Sequence, residues 1–195
     1  MTKRPARLCP LPWRSQQRLD QYAAFYNRIA DRLREHPRAV GALEAADKAL
    51  VLVGYGAYGA LLVTLLLKSI PLLFATLAVS AGSFGVLSLV RAIINAPRPQ
   101  TASTLRPLTK HHESAKSFPS RHVFSMFIIT TCWMTCCPVV GGVLAAVGLM
   151  VAASRVATGA HFPIDVVAGA ILGLAVPGAC FALLWAVAPR MFGLC

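Results

Sequence analysis

The sequence predicts an all-α bundle of membrane-spanning helices, and three observations carry that expectation. Of 195 residues, 56% are hydrophobic and 13% charged, about half the ~25% charged content of soluble domains. The apolar residues gather into five stretches of 18 to 23 residues, at about 49–67, 70–90, 120–137, 139–158 and 166–188. Each is close to the ~20 residues that a helix rising about 1.5 Å per residue needs to cross a bilayer. The charge lies between and before them: residues 1–48 hold ten Lys/Arg, residues 91–121 hold six, and Lys68, Arg155 and Arg190 complete the nineteen.

The net charge of +12 therefore does not describe a basic fold. A nucleic-acid partner would ask for a cationic face with interleaved aromatics or a recognition helix. Basic clusters flanking apolar runs fit anionic lipid headgroups or a phosphorylated substrate instead, and no nucleic-acid partner is expected. Cys9, Cys132, Cys136, Cys137, Cys180 and Cys195 match neither a zinc spacing nor a small disulfide scaffold and read as small apolar fillers. The first 48 residues contain no apolar core with a small-residue cleavage site, so the first span is expected to act as its own insertion signal.

Residues 1–14, with three prolines and four basic residues, predict a basic Pro-rich tail. From Ser15 to about His36, Leu19, Tyr22, Phe25 or Tyr26, Ile29 and Leu33 recur at helical spacing among Arg18, Arg28, Arg32 and Arg34. That pattern predicts an amphipathic helix lying on the membrane surface, or packed on another segment of the chain, with residues 15–48 forming this helix and a linker. The membrane domain is expected over 49–190. Lys68 and Ser69 alone separate the first two spans and Pro138 breaks the third from the fourth, so those connections are tight and antiparallel. Gly54, Gly56 and Gly59, and Gly141, Gly142 and Gly148, are expected to serve close helix packing. The one long polar connection lies within the loop region 91–121, where chemistry is expected.

Three segments break the apolar pattern: Arg91 to Pro99 with Arg98, Phe118-Pro119-Ser120-Arg121-His122, and Ser154-Arg155 followed by His161 and Asp165. Counting crossings, all three emerge on one membrane face. Single arginines at span ends often anchor in headgroups, but anchoring does not ask for His122, His161 and Asp165 beside them. Arginine carries a planar fork of donors that matches phosphate oxygens and keeps its charge. Asp165 and His161, four residues apart, repeat the orienting logic of a catalytic triad: the carboxylate takes one ring nitrogen and leaves the other to attack phosphorus. His122 is then the general acid for the leaving oxygen. His36, His111 and His112 lie in polar stretches and read as solvated, and neither a metal nor any other cofactor is required.

With these residues the chain resembles the type 2 phosphatidic acid phosphatase superfamily, which includes lipid phosphatases, undecaprenyl-diphosphate phosphatases, acid phosphatases and vanadium haloperoxidases. The family signature has three parts: a basic residue, six residues, then Arg-Pro; Pro-Ser-Gly-His; and Ser-Arg, five residues, His, three residues, Asp. Here they read Arg91 with Arg98-Pro99, Pro119-Ser120-Arg121-His122, and Ser154-Arg155 with His161 and Asp165. Arg91 stands where lysine is usual and Arg121 where glycine belongs. The resemblance implies an integral membrane phosphatase acting on a lipid phosphate or diphosphate through a phosphohistidine. His161 is implied as nucleophile, Asp165 as its partner and His122 as acid, with Arg91, Arg98, Ser120 and Arg155 on the phosphoryl oxygens and the role of Arg121 open. The alternatives are an undecaprenyl-diphosphate phosphatase specifically, a haloperoxidase, or a non-catalytic lipid-phosphate-binding relative. Five spans disfavour the haloperoxidase, and the retained His161 and Asp165 disfavour the non-catalytic relative. A transporter would show half-repeats, and none is visible.

With five spans the N-terminal segment and the site share one face, which then holds seventeen of the nineteen basic residues against Lys68 and Arg190. The positive-inside rule places that face in the cytoplasm, although many bacterial members of the resembled family face outward with six spans.

Overall fold

The computed structural model describes residues 15–109 and 116–188, and these contain helices without a strand. In chain order they are α1 (Gln16–Arg34), α2 (Pro37–Lys68), α3 (Ile70–Ile94), the one-turn α4 (Pro99–Ala102), α5 (Arg121–Met134), α6 (Pro138–Ala157) and α7 (Pro163–Val187). The 1–14 tail, His111, His112, Cys9, Cys195 and Arg190 lie outside the described residues.

Proline sets many of the starts. Pro37, Pro99, Pro138 and Pro163 each open a helix and Pro71 is the second residue of α3, where the missing N–H would have no intrahelical acceptor anyway. Extended Ser69 turns the chain between α2 and α3, and its Oγ accepts from the Leu72 N–H at 3.4 Å. At the other end of α3, Asn95 adopts a left-handed conformation (φ 43°) while its N–H donates to the Arg91 carbonyl. That termination directs the chain toward Arg98.

Among the described residues four helices, α2, α3, α6 and α7, are long and apolar enough to cross a membrane. The expectation of five is approximate. The third stretch, expected over 120–137, becomes the 14-residue α5, which rises only about 21 Å. It begins at the end of the bundle where the Ser120 N–H donates to the Asp165 carbonyl, and finishes at the turn 135–137 that leads into α6. α5 can be short because it is interior: nine of its fourteen residues are buried, so protein rather than lipid surrounds it. Phe124, Ile128 and Cys132 pack with Leu61, Leu65, Leu72, Leu87 and Phe181, while Val123, Met126 and Phe127 pack with Val151 and Val166. Leu52, Leu67, Phe74, Leu89, Val139, Leu149, Ile171 and Leu183 of the other four helices stay exposed. Apolar side chains facing outward around a polar-ended bundle are the arrangement a bilayer selects.

Helix contact inside a membrane rests on shape and close approach more than on hydrophobic burial. Gly54 meets Met126, Gly141 meets Met134 and Gly148 meets Phe127, as expected, but Gly56, Gly59 and Gly142 face open space and pack against nothing. The closest approach to the backbone of another helix falls at two glycines that the sequence pattern did not single out. A Cβ on Gly169 would lie 2.8 Å from the Ser120 carbonyl oxygen, and one on Gly173 2.7 Å from that of Phe124. These two positions let α7 press α5 into place, starting at Ser120.

α1 packs at the same end of the bundle. Its buried face, Leu19, Ala23, Tyr26 and Ala30, meets Leu105, and the Tyr26 hydroxyl donates to the Ala157 carbonyl at 3.0 Å. Asn27 brackets the loop by donating to the Thr104 carbonyl and accepting from the Arg106 N–H, and Asp31 pairs with Arg106 at 2.7 Å. Phe25 and Ile29 remain exposed. His36 is exposed, with Nδ1 3.3 Å from the Arg32 carbonyl oxygen.

Candidate active site

The three segments singled out in the sequence meet at one end of the bundle. Arg91, in the last turn of α3, is buried and donates through its two terminal nitrogens to the Lys116 and Pro119 carbonyls. The Ser117 N–H donates to the Ala96 carbonyl at 2.8 Å, and the Ser120 N–H reaches the Asp165 carbonyl at 2.9 Å. The loop before α5 is thus tied to both α3 and α7, with a cis Phe118–Pro119 bond between the two ties.

His161 lies between α6 and α7 and is 4% exposed. Its Nδ1 stands 3.6 Å from Asp165 Oδ2 and 3.5 Å from Ser117 Oγ. Asp165 is fully buried as the third residue of α7, and Oδ2 accepts from the Phe162 N–H at 3.1 Å and from the Ser117 hydroxyl. This carboxylate is fixed before it meets the imidazole. With Nδ1 turned to the carboxylate, Nε2 is the ring nitrogen left for chemistry. Burial lowers the His161 pKa from its ordinary 6.5, Asp165 opposes by hydrogen bonding and charge, and Arg98 and Arg155 lower it further. Burial and the two arginines thereby favour the neutral imidazole, the form in which it is a nucleophile.

Arg155, in the last turn of α6, pairs through Nη2 with Asp47 Oδ2 at 3.1 Å. Asp47 Oδ1 accepts from the Ser154 hydroxyl at 2.5 Å. Asp47, on α2, therefore holds two adjacent residues of the Ser-Arg pair. Neither Asp47 nor Ser117 was found by sequence reasoning. Asp47 lies far upstream of every motif, and only its acidity just before an apolar run marks it.

Arg98 caps the start of α4 and is half-buried; burial first, then the charge of Arg155, lowers its pKa, Asp165 opposes, and Arg121 also lowers it. Arginines that lower one another's proton affinity share a region with too little negative charge. Ser120 Oγ, Arg91 Nε and Arg155 Nε are buried with no hydrogen-bond partner. Thr76, Ser83 and Thr130 hydroxyls are likewise unpartnered, but these lie in the bundle interior and carry no charge. Donors left open at a cationic end are arranged to receive an anion with several oxygens.

His122, in the first turn of α5, and Arg121 before it line a cavity of about 540 Å³ between α2, α3 and α5. Its other walls include Tyr55, Tyr58, Leu77 and Phe84. Among the described residues no group of three or more His, Cys, Asp or Glu is placed to hold a metal ion.

The sequence model of the PAP2 superfamily matches residues 68–189. Among curated proteins none matches. Among solved structures the chain is similar to the crystal structure of the first transmembrane PAP2-type phosphatidylglycerolphosphate phosphatase from Bacillus subtilis, at 24% identity and a TM-score of 0.50, over 84% of this chain and 94% of that one. That likeness concerns the fold.

Proposed function

The chain belongs to the PAP2 superfamily and is a multi-pass membrane protein; from that premise we propose that it is a lipid phosphatase that hydrolyses a lipid phosphate or diphosphate through a phosphohistidine at His161. The observation that carries this reading is the set of open buried donors, Ser120 Oγ, Arg91 Nε and Arg155 Nε, at the end of the bundle that holds His161 with its Nδ1 turned to Asp165.

In the first step His161 Nε2 attacks phosphorus and the P–O bond to the lipid breaks; His122, whose pKa is lowered to about 4 by burial and then by the charges of Arg155 and His161, binds a proton together with the anionic substrate, which offsets those charges, and gives it to the departing oxygen. The imidazole Nδ1–H is stabilised by Asp165 as the ring gains charge. In the second step water, losing a proton to His122, attacks the phosphohistidine; the P–N bond breaks, inorganic phosphate leaves and both histidines return to their starting states. Negative charge on the equatorial oxygens is met by Arg98, Arg155 and Ser120. Arg91 contributes in a second way, because its terminal nitrogens hold the loop that carries Ser120. Fixed cations supply the charge stabilisation, so the reaction proceeds without a metal.

Phosphate release by the purified protein from a panel of lipid mono- and diphosphates, with chelator present, tests the reading. Release is expected and His161→Ala abolishes it; substantial release by that variant overturns the assignment. We also propose that the site faces the cytoplasm and that Phe25 and Ile29 of α1 rest in the headgroup layer among anionic lipids, because basic residues crowd that end. Single cysteines at Ser103 and Gly193, in a cysteine-free background, are treated in intact cells with an impermeant thiol reagent. Labelling at Gly193 alone is expected, and labelling at Ser103 alone reverses the orientation.

A further inference from the structure

Arg121 occupies the position where the signature has glycine, and the reaction scheme above gives it no task. It is exposed as the first residue of α5, immediately before His122. Its guanidinium forms no ion pair or side-chain hydrogen bond with any described residue, whereas Arg91 is engaged with two carbonyls and Arg155 with Asp47. A large cation at the start of a helix, where backbone N–H groups add positive potential, without a counter-charge among the described residues, is suited to an anion brought by a ligand.

The cavity fixes where that anion would lie. Arg121 and His122 both line it, and Tyr55, Tyr58, Leu77 and Phe84 are among its other, largely apolar walls. In-line displacement puts the leaving group on the face of phosphorus opposite His161, and the acid that protonates it is His122. The leaving group therefore enters the cavity that His122 lines, with its hydrocarbon along the apolar walls and its first polar atoms beside Arg121. A leaving group that carries only ester oxygens gives a guanidinium little to bind. One that carries its own phosphate gives it a charged, bidentate partner.

We propose that Arg121 is a specificity-determining residue that binds a second phosphate on the leaving-group side of the scissile bond, so that the favoured substrates are lipids whose departing group is itself phosphorylated. The proposal rests on the lipid phosphatase reading and on His122 as the acid. Two lipid sources share this chemistry: a prenyl diphosphate, with the second phosphate bonded directly to the first, and a phosphatidylglycerol phosphate, with a glycerol between the two.

The test compares kcat/KM for phosphatidate, a prenyl diphosphate and phosphatidylglycerol phosphate in mixed micelles, using the wild type, Arg121→Gln and Arg121→Lys. Each variant's loss is taken relative to wild type on the same substrate, which removes the intrinsic reactivity of diphosphates. Arg121→Gln is expected to lose at least tenfold on one or both doubly phosphorylated lipids, mainly through KM, and less than threefold on phosphatidate. Arg121→Lys, which keeps a charge, is expected to fall between. Whichever doubly phosphorylated lipid suffers the larger loss identifies the spacing that Arg121 reads. Equal losses on all three lipids, with thermal unfolding unchanged, overturn the specificity role while leaving the phosphatase reading intact. Absence of phosphate release from every lipid by the wild type, or its persistence in His161→Ala, overturns the phosphatase reading and this proposal with it.

Discussion

Replacing Asp47 by asparagine removes a carboxylate that holds Ser154 and Arg155 together. Oδ1 takes the Ser154 hydroxyl at 2.5 Å and Oδ2 takes Arg155 Nη2 at 3.1 Å. The side chains of Arg155 and Asp47 are only 11% and 12% exposed, so water screens the pair weakly. Deleting one partner of a buried pair costs about 3–5 kcal/mol. Asparagine keeps one acceptor oxygen and the shape, so roughly half of that, about 2 kcal/mol, is expected. If the loss appears as misplacement of Arg155 in the transition state, it amounts to about a 30-fold fall in kcat/KM at 1.36 kcal/mol per tenfold. The assay is phosphate release from micellar lipid phosphate, with thermal unfolding in the same detergent to separate folding from catalysis. Ser154→Ala and the double variant close a cycle in which the two positions couple by at least about 0.5 kcal/mol. Activity of Asp47→Asn within twofold of wild type, with strict additivity, would refute the argument that Asp47 positions Arg155.

The pH profile follows from His161. Attack requires the neutral ring, and burial lowers its pKa despite the opposing effect of Asp165, so the acid limb of kcat/KM is expected below the ordinary imidazole value of 6.5. Asp165→Asn removes an influence that raises this pKa; the limb should move to still lower pH as the maximal rate falls. An acid limb at or above 6.5 in the wild type contradicts the sign. His122→Ala should impair lipid phosphates far more than an aryl phosphate with an acidic leaving group, because proton donation matters least when the departing oxygen is already stable as an anion. Parallel losses on the two substrates, measured side by side, speak against the acid role.

Much of the candidate site was legible because its residues interrupt apolar stretches at positions that a helical bundle brings to one face. Arg91, Arg98, Ser120, His122, Arg155, His161 and Asp165 all reach the same end of the structure. What the sequence concealed depends on contacts between distant segments. Asp47 sits in what reads as a linker but is one face of the 32-residue α2, which begins twelve residues before the expected span. Ser117 gains meaning only because the loop folds back on Asp165. Apolar length alone could not separate α5 from the lipid-facing helices, since a helix enclosed by protein and one enclosed by lipid are both apolar. The glycines divide for the same reason: Gly169 and Gly173 meet the α5 backbone while Gly56 and Gly59 meet nothing, a difference that depends on helix rotation rather than composition.

The central claim is a covalent bond between His161 and the substrate's phosphorus, and trapping it is the most direct measurement. Enzyme mixed with lipid labelled with ³²P in the terminal phosphate and denatured within a turnover should carry protein-bound label that is stable to alkali and lost in acid, as expected of a phosphoramidate. His161→Ala should carry none, although the protein remains folded. Label that persists in His161→Ala, or wild-type turnover that inverts configuration at a chiral phosphorus and so proceeds by a single direct attack of water, would contradict the account.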